Sequence, residues 1–296
     1  MTQRILVIKL AALGDVVQAF GPFAAIRAHH PGAHIILLTT PPYAALLAGS
    51  PWFDAIRDDG RPAWTDFPAV ARLAAWLRGQ RFDRVYDLQT SGRSSRYRLM
   101  TGGAEWSGIA RGASHRHANP ARDLMHTAER QREQLSMAGI QVFPEPDTSW
   151  LTADLTHLDL PPRFVLLVPG ASAGRPGKRW PVQNFADLAR ALPLPVVVIG
   201  SKAEAPLARA IGGIDLCGRT SLRELAAIAR QATVCIGNDT GPVHLAAAMG
   251  TPTVALFGAD SDPALCAPRG RSVAVLRRVP ISGTTVAEVI AAAGCE

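Results

Sequence analysis

The sequence is poor in lysine. Of its 31 lysines and arginines, only Lys9, Lys178 and Lys202 are lysine, so arginine carries nearly all of the positive charge. The formal net charge of +7, with a pI near 9.8, suits acidic partners such as phosphate-bearing small molecules, anionic lipid surfaces or nucleic acid. Aromatic residues make up 6% of the chain and do not interleave with the basic residues, and no nucleic-acid-binding module is present, which argues against nucleic acid. Cysteine is scarce as well. Cys217, Cys235, Cys266 and Cys295 show no CxxC spacing, and a reducing cytoplasm is the expected setting, with Cys217 and Cys235 as buried thiols. No window of 18 residues is apolar and free of charge, so no transmembrane helix is expected. Lys9 and Asp15 interrupt the apolar N-terminal run, which therefore does not read as a signal peptide. Also absent are GxGxxG, GxxxxGK[ST] and tandem repeats, so neither a dinucleotide fingerprint nor a P-loop is supported, and Asp260 and Asp262 in "GADSDP" are not read as a DxD-type metal pair.

What is present is an alternation of short β-rich runs and helical segments over 296 residues, 48% of them hydrophobic. Strands are predicted at Ile5–Leu10, His34–Thr40, Arg84–Leu88 and Ser107–Ala110. A second group follows at Phe164–Val168, Pro195–Gly200, Ile214–Cys217, Thr233–Gly237 and Thr253–Phe257. Several are nearly unbroken Val/Ile/Leu runs, as parallel strands buried on both faces require. Helices are predicted at Ala69–Leu77, Asn184–Ala191, Leu222–Arg230 and Val243–Met249. The pattern predicts an α/β chain of two doubly wound, Rossmann-like domains facing each other across a cleft. The proline-rich, polar segment from Phe143 to Phe164 places the boundary near residue 155, giving domains 1–155 and 156–296.

Open α/β sheets bind ligands beyond the carboxyl ends of their strands, and four segments sit there. In "IKLAALGDVV", Asp15 falls in a first helical turn, where free amides favour an ionised carboxylate. It reads either as a simple helix-start charge or as a general base. In "VPGASAGRPGKRWP", glycines with Ser172, Lys178 and Arg179 suit a pyrophosphate, or form an ordinary basic loop. In "VIGSKAEAPLA", Glu204 is either a favourable helix-start charge or a ribose-binding carboxylate. In "GNDTGPVHLAAAMGTP", Asp239 or Thr240 can cap a helix whose free amides form an anion site, and His244 lies one turn on from Thr240. Arg93 and Arg96 in "DLQTSGRSSRYR", with Arg98, Arg111, Arg116 and Arg122 beyond, offer either a solvated basic face or a surface for an anionic acceptor. His115, His117 and His126 lack the flanking ligands of a metal site, and no metal is expected.

Taken together, "LGDVV", "PGAS…KRWP", "GNDTGPVHLAAAMGTPTVALFG" and "SDP" resemble glycosyltransferase family 9, the ADP-heptose:lipopolysaccharide heptosyltransferases, over almost the whole chain. The resemblance implies a GT-B fold with an acceptor-side N-terminal domain and a C-terminal domain that binds the nucleotide-sugar donor. It implies inverting transfer of heptose from ADP-heptose to a hydroxyl of the lipopolysaccharide inner core, with Asp15 as base. Ser172 and Lys178 match phosphate-contacting positions, Glu204 a ribose-binding carboxylate, and Asp239 a position near the heptose. Thr240 and Gly241 match contacts to the pyrophosphate, and His244 a motif histidine. Arg93 and Arg96 would meet the acceptor's anionic groups. No cofactor is required; ADP-heptose is a substrate. The protein would be cytoplasmic, peripheral on the inner membrane where its acceptor lies. The chain departs from the family's common form at Ala12, Val168, the longer "AGRPG" and the longer "FGADSDP". The same fold also admits a protein-modifying heptosyltransferase, a different donor sugar, or a non-catalytic nucleotide-sugar-binding protein.

Overall fold

In the computed structural model, which describes residues 2–172 and 174–294, the apolar runs become two sheets. The first contains β1 (Arg4–Ile8), β2 (His34–Leu38), β3 (Ala55–Arg57), β4 (Arg84–Asp87), β5 (Glu105–Gly108) and β6 (His115–Arg116). The second contains β7 (Val165–Val168), β8 (Val196–Val198), β9 (Ile214–Asp215), β10 (Val234–Asn238), β11 (Thr253–Phe257) and β12 (Val273–Arg277). Every pairing is parallel. The spatial orders are β3-β2-β1-β4-β5-β6 and β9-β8-β7-β10-β11-β12. Both are the Rossmann order, whose direction reverses between the first and fourth strand of each sheet.

The chain divides into two compact units, Met1–Trp150 and Leu151–Glu296. In the first, one core layer gathers Leu6, Ile8, Leu38, Val85, Tyr97 and Trp106. In the second, Val165, Leu167, Phe185, Ile236, Leu256 and Val289 form the corresponding layer. The central strands β7, β10 and β11 are buried at every residue, which is why their sequences are mostly apolar rather than alternating, with Asn238 and Thr253 the polar exceptions at strand ends. Helices fill the connections at Phe67–Gly79, Val182–Ala191, Leu222–Gln231 and Gly241–Ala248, each overlapping a predicted helix. Among the described residues, no helix is long and apolar enough to cross a membrane.

Three strands have no counterpart in the prediction: β3, β6 and β12. They lie at or next to sheet edges, are half-exposed along much of their length, and two of them span three residues or fewer. The two short ones, Ala-Ile-Arg and His-Arg, carry little apolar signature, whereas β12 reads Val-Ala-Val-Leu-Arg and was open to prediction. The strand expected at Ser107–Ala110 forms at Glu105–Gly108, in register with β4 from Arg84 onward. Cys217 and Cys235 are buried free thiols, Cys266 is half-buried, and Cys295 lies outside the described residues.

Candidate active site

The two reversal points hold the two polar sites, one in each unit. In the first unit, the turn after β1 is tied to the turn after β4, because the Gln89 side-chain oxygen accepts from the Leu10 and Ala11 amides at 2.8 and 3.1 Å. The helix Leu13–Val17 then opens with Asp15 in its first turn, where a carboxylate oxygen accepts from the Ala12 amide at 3.2 Å. Asp15 opens onto a polar cavity of about 310 Å³ that it shares with Lys9, Thr90, Arg122 and Arg130. Arg122 is held there by Thr90 Oγ1 at 2.7 Å and Asp123 at 3.0 Å. Lys9 is 4% exposed, and its Nζ donates to the Leu88 carbonyl at 3.0 Å. Burial is the main influence on this ammonium and brings its pKa down to about 8; Arg130 and Arg122 push the same way, and Asp15 and Asp87 oppose them. Asp87, beneath the cavity, is also buried. Desolvation raises its carboxyl to about 6 against the hydrogen bonds it accepts from Thr90 and Gln89.

Arg93 and Arg96 are engaged elsewhere. Arg93 donates to the Pro62 carbonyl at 2.7 Å and stacks 4.5 Å from the Trp64 ring, and Arg96 lies 5.5 Å from the same ring. Neither lines the cavity that holds Asp15. The cations that do are Lys9, from a strand end, and, more than 100 residues further on, Arg122 from a 3-10 turn and Arg130 from the next helix, so no local spacing could join Lys9 to the arginines. His115 and His117 face Glu105 and Glu133 at 3.8 and 3.3 Å, and His126 caps a helix through the Ala128 amide at 3.1 Å.

In the second unit, β7 ends at a glycine loop and β10 ends at Asn238, and one side chain joins them. The Asn238 amide donates to the Pro169 carbonyl at 2.7 Å, and its oxygen accepts from the Trp180 amide at 3.1 Å. The Trp180 indole donates to the Thr284 carbonyl at 2.9 Å and is buried. Both ends of the loop that carries Ser172 and Lys178 are thereby fixed beside β10. Lys178 Nζ sits 2.5 Å from Asp239 Oδ2 and 3.3 Å from the Asp239 carbonyl, while His244 Nε2 lies 3.2 Å from Asp239 Oδ1. Burial alone would raise the Asp239 carboxyl, but hydrogen bonds and charge from His244 and Lys178 outweigh it and hold the pKa down to about 2. The Cys266 thiol approaches the same carboxylate at 3.8 Å.

The expected capping of the next helix by Asp239 or Thr240 does not form. Asp239 is engaged by Lys178 and His244, and the Thr240 hydroxyl donates back to the Asn238 carbonyl at 3.2 Å. No side chain caps the helix Gly241–Ala248. The amides of Val243 and His244 turn back to the Thr240 carbonyl at 3.0 and 3.3 Å, and the Gly241 amide is left open to an anion.

Beside this cluster lies a cavity of about 770 Å³, within the range of small-molecule sites. Ser172, Glu204 and Thr240 supply its polar wall, and Leu207, Leu222 and Leu225 its apolar one. One Glu204 oxygen accepts from the Ser201 amide at 2.6 Å, while the other stands so close to Gly170 that a Cβ there would come within 1.8 Å of it. Glycine at 170 is thus what lets the carboxylate reach the cavity. The predicted donor residues fall into two adjoining groups: Ser172, Glu204 and Thr240 on the cavity wall, and the Lys178–Asp239–His244 cluster, with Gly241 opening the helix between them. Among the described residues, no group of three or more His, Cys, Asp or Glu side chains could hold a metal ion.

Comparison with known proteins agrees with this architecture. The chain is 26% identical to lipopolysaccharide heptosyltransferase 2 of Escherichia coli K12, over 93% of this chain and 88% of that protein. It is also 26% identical to lipopolysaccharide heptosyltransferase 1 of Pseudomonas aeruginosa PAO1, over 91% and 82% respectively. Among solved structures, a family 9 glycosyltransferase from Veillonella parvula superposes with a TM-score of 0.86 at 20% identity, covering 99% of this chain and 96% of that one. The E. coli ADP-heptose lps heptosyltransferase II gives 0.82 at 21% identity, with 99% and 98% covered. The shared fold is GT-B. The sequence model of glycosyltransferase family 9 (heptosyltransferase) matches residues 70–285, most of the chain, and the protein is a glycosyltransferase belonging to that family.

Proposed function

We propose that the protein transfers a heptose from ADP-heptose to a hydroxyl of the lipopolysaccharide inner core, with inversion at the anomeric carbon and Asp15 as the general base. The observation that carries this reading is the pairing of sites at the two reversal points: a carboxylate facing a cationic cavity in one unit, and an uncapped helix start beside a nucleotide-sized cavity in the other.

On this reading the adenosine lies in the larger cavity. Its base packs on Leu222 and Leu225, and its ribose hydroxyls donate to Glu204. The diphosphate meets Ser172, the Thr240 hydroxyl and the open amide of Gly241. Lys178 has three donors, two of them engaged by Asp239, so one remains for a phosphate oxygen. Asp239 fixes Lys178 and His244 from the other side and stays ionised near the sugar. The acceptor oxygen attacks the anomeric carbon as the bond to the β-phosphate oxygen breaks. Its proton passes to Asp15, and the charge appearing on ADP is met by the helix amides and Lys178. Arg122 and Arg130 serve the acceptor's anionic groups, a role for which Arg93 and Arg96 are less well placed. The acceptor is a lipid, so the enzyme works at the cytoplasmic face of the inner membrane.

Mass spectrometry of products from ADP-heptose and a panel of truncated core acceptors tests the reading. One heptose should be added, with release of ADP and inverted configuration. Asp15→Asn should lower kcat by roughly 10²- to 10⁴-fold and leave ADP affinity unchanged. Full turnover by Asp15→Ala would remove the base assignment. Binding of ADP-heptose without ADP release on any acceptor would favour a non-catalytic binding protein.

A further inference from the structure

Lys9 is a buried cation of the first unit with a single side-chain hydrogen bond. Three cations line the Asp15 cavity, and two have a carboxylate partner: Arg122 and Arg130 lie 3.0 and 3.9 Å from Asp123. Lys9 has none among the described residues. Its ammonium carries three donors, and one is used, on the Leu88 carbonyl. A buried ammonium held for purely structural reasons would be surrounded by acceptors, since unpaired buried charge is costly. This one has donors to spare, and they border a cavity.

We propose that Lys9 is the seat for an oxyanion of the acceptor, carried close to the hydroxyl that becomes glycosylated. The inference rests on the function proposed above and deepens it: the acceptor is recognised by a negative charge at the floor of the cavity that contains the base. A base must come within about 3 Å of the proton it removes. Lys9 and Asp15 line one cavity of about 310 Å³, so a group on Lys9 and a hydroxyl on Asp15 belong to the same or neighbouring sugar residues.

The seat is filled only while Lys9 is charged. The groups that act on it are Asp15 on the helix after β1, Asp87 at the end of β4, Arg122 on the 3-10 turn and Arg130 on the following helix. The two carboxylates favour the ammonium, whereas burial and the two guanidinium groups disfavour it. With its pKa at about 8, Lys9 is charged at neutral pH and loses its proton as the pH rises beyond that value. Oxyanion affinity should fall over the same range.

The test uses the full-length protein saturated with ADP, so that the phosphate site of the second unit is occupied. Inorganic sulfate is then titrated calorimetrically between pH 7 and 9.5, a range in which sulfate itself does not titrate. The expected result is binding about tenfold weaker at pH 9.5 than at pH 7. That dependence should disappear in Lys9→Met and persist in Arg93→Ala. In turnover assays, Lys9→Met should raise the acceptor KM at least tenfold while leaving the donor KM unchanged. Two altered acceptors identify the group: one with its sugar carboxylate reduced to an alcohol, the other dephosphorylated. The one that loses affinity for the wild type but not for Lys9→Met carried the charge. Sulfate affinity and acceptor KM that are unchanged in a folded Lys9→Met variant would overturn the proposal, as would a pH-independent sulfate affinity in the wild type. Absence of heptosyl transfer alongside Lys9-dependent sulfate binding would instead overturn the reaction proposed above and leave the seat in place.

Discussion

Asp239 accepts from Lys178 on one oxygen and faces His244 on the other, and its side chain is 3% exposed. Its carboxyl is held near pKa 2 against an ordinary value of 3.8, so its ionised form stabilises the folded chain. For a depressed carboxylate, that contribution is complete above the unfolded pKa and is lost as the pH falls through the folded one. Acid melts between pH 4.5 and 2 should therefore show the wild type losing more stability than Asp239→Asn. At pH 7 the variant should be less stable by about 3 kcal/mol, because the Lys178 ammonium loses its counter-charge. Lys9 is the opposite case. Its folded pKa of about 8 lies below its unfolded value of 10.5, so the folded state binds fewer protons between those values and gains stability as the pH rises across them. Lys9→Met should therefore raise stability at pH 7 by up to about 3 kcal/mol, with the gain gone by about pH 10 in thermal melts. A substitution that stabilises the fold and weakens acceptor binding would mark a residue kept for recognition. The sequence offered one hint of this: two of its three lysines, Lys9 and Lys178, sit in the two sites, where arginine serves almost everywhere else.

At the scale of elements, the glycines after β7 and β8 set the position of Glu204. A Cβ at Gly170 would meet Glu204 Oε1, and one at Gly200 would come within 2.8 Å of Oε2. The obstacle at Gly170 is the end of a flexible side chain, so Gly170→Ala should fold with a stability change within about 0.5 kcal/mol. ADP affinity, measured by calorimetry, should nevertheless fall about tenfold as the carboxylate is pushed off the ribose position. Gly237 differs, because a Cβ there would lie 2.5 Å from Val168 Cβ and 2.7 Å from the Val168 carbonyl oxygen, inside the sheet. Gly237→Ala should cost about 1–3 kcal/mol in denaturant unfolding. The elements that build these contacts were legible as strands because β7, β10 and β11 are buried on both faces and their sequences say so. β3 and β6 were not, since they are short edge strands with one apolar pair or none, and β12 was missed although its Val-Ala-Val-Leu-Arg is apolar. Side-chain partnerships were less legible than strands. "DTG" reads as a helix cap, and only the fold brings Lys178 across from another strand end to claim Asp239.

At the scale of the whole molecule, each unit has its own sheet, core and polar site, and each site is lined by residues of one unit alone. ADP should therefore stabilise Leu151–Glu296 selectively. At a hundred times its Kd the gain is about 2.7 kcal/mol. Differential scanning calorimetry of the full chain should show one transition moving with ADP and one standing still, and residues 151–296 expressed alone should bind ADP with the full chain's affinity. A shift of both transitions together would show that the units unfold as one. The doubly wound, Rossmann-like class of each half was legible in the alternation of strands and helices, its strand order was not, and both cavities lie beyond strand ends, where ligands were expected. Of the arginines that share the Asp15 cavity, Arg122 was among the basic residues legible beyond Arg93 and Arg96 and Arg130 was not, because Arg93 and Arg96 share a short helix near β4 while Arg122 and Arg130 reach the cavity from a later turn and helix.

Asn238 works as a buckle on a strap. It clasps Pro169 at one end of the glycine loop and Trp180 at the other, so the span between is a closed ring whose ends do not depend on its circumference. Lengthening such a ring by a few residues costs only fractions of a kcal/mol in closure entropy. Residues inserted between Gly174 and Pro176 should swell the loop outward and leave Lys178, two residues from the clasp, where it is. A stretch open to remodelling by loop length therefore lies a few residues from Lys178, the lysine proposed to meet the donor phosphate, a convenient place to graft new donor specificity.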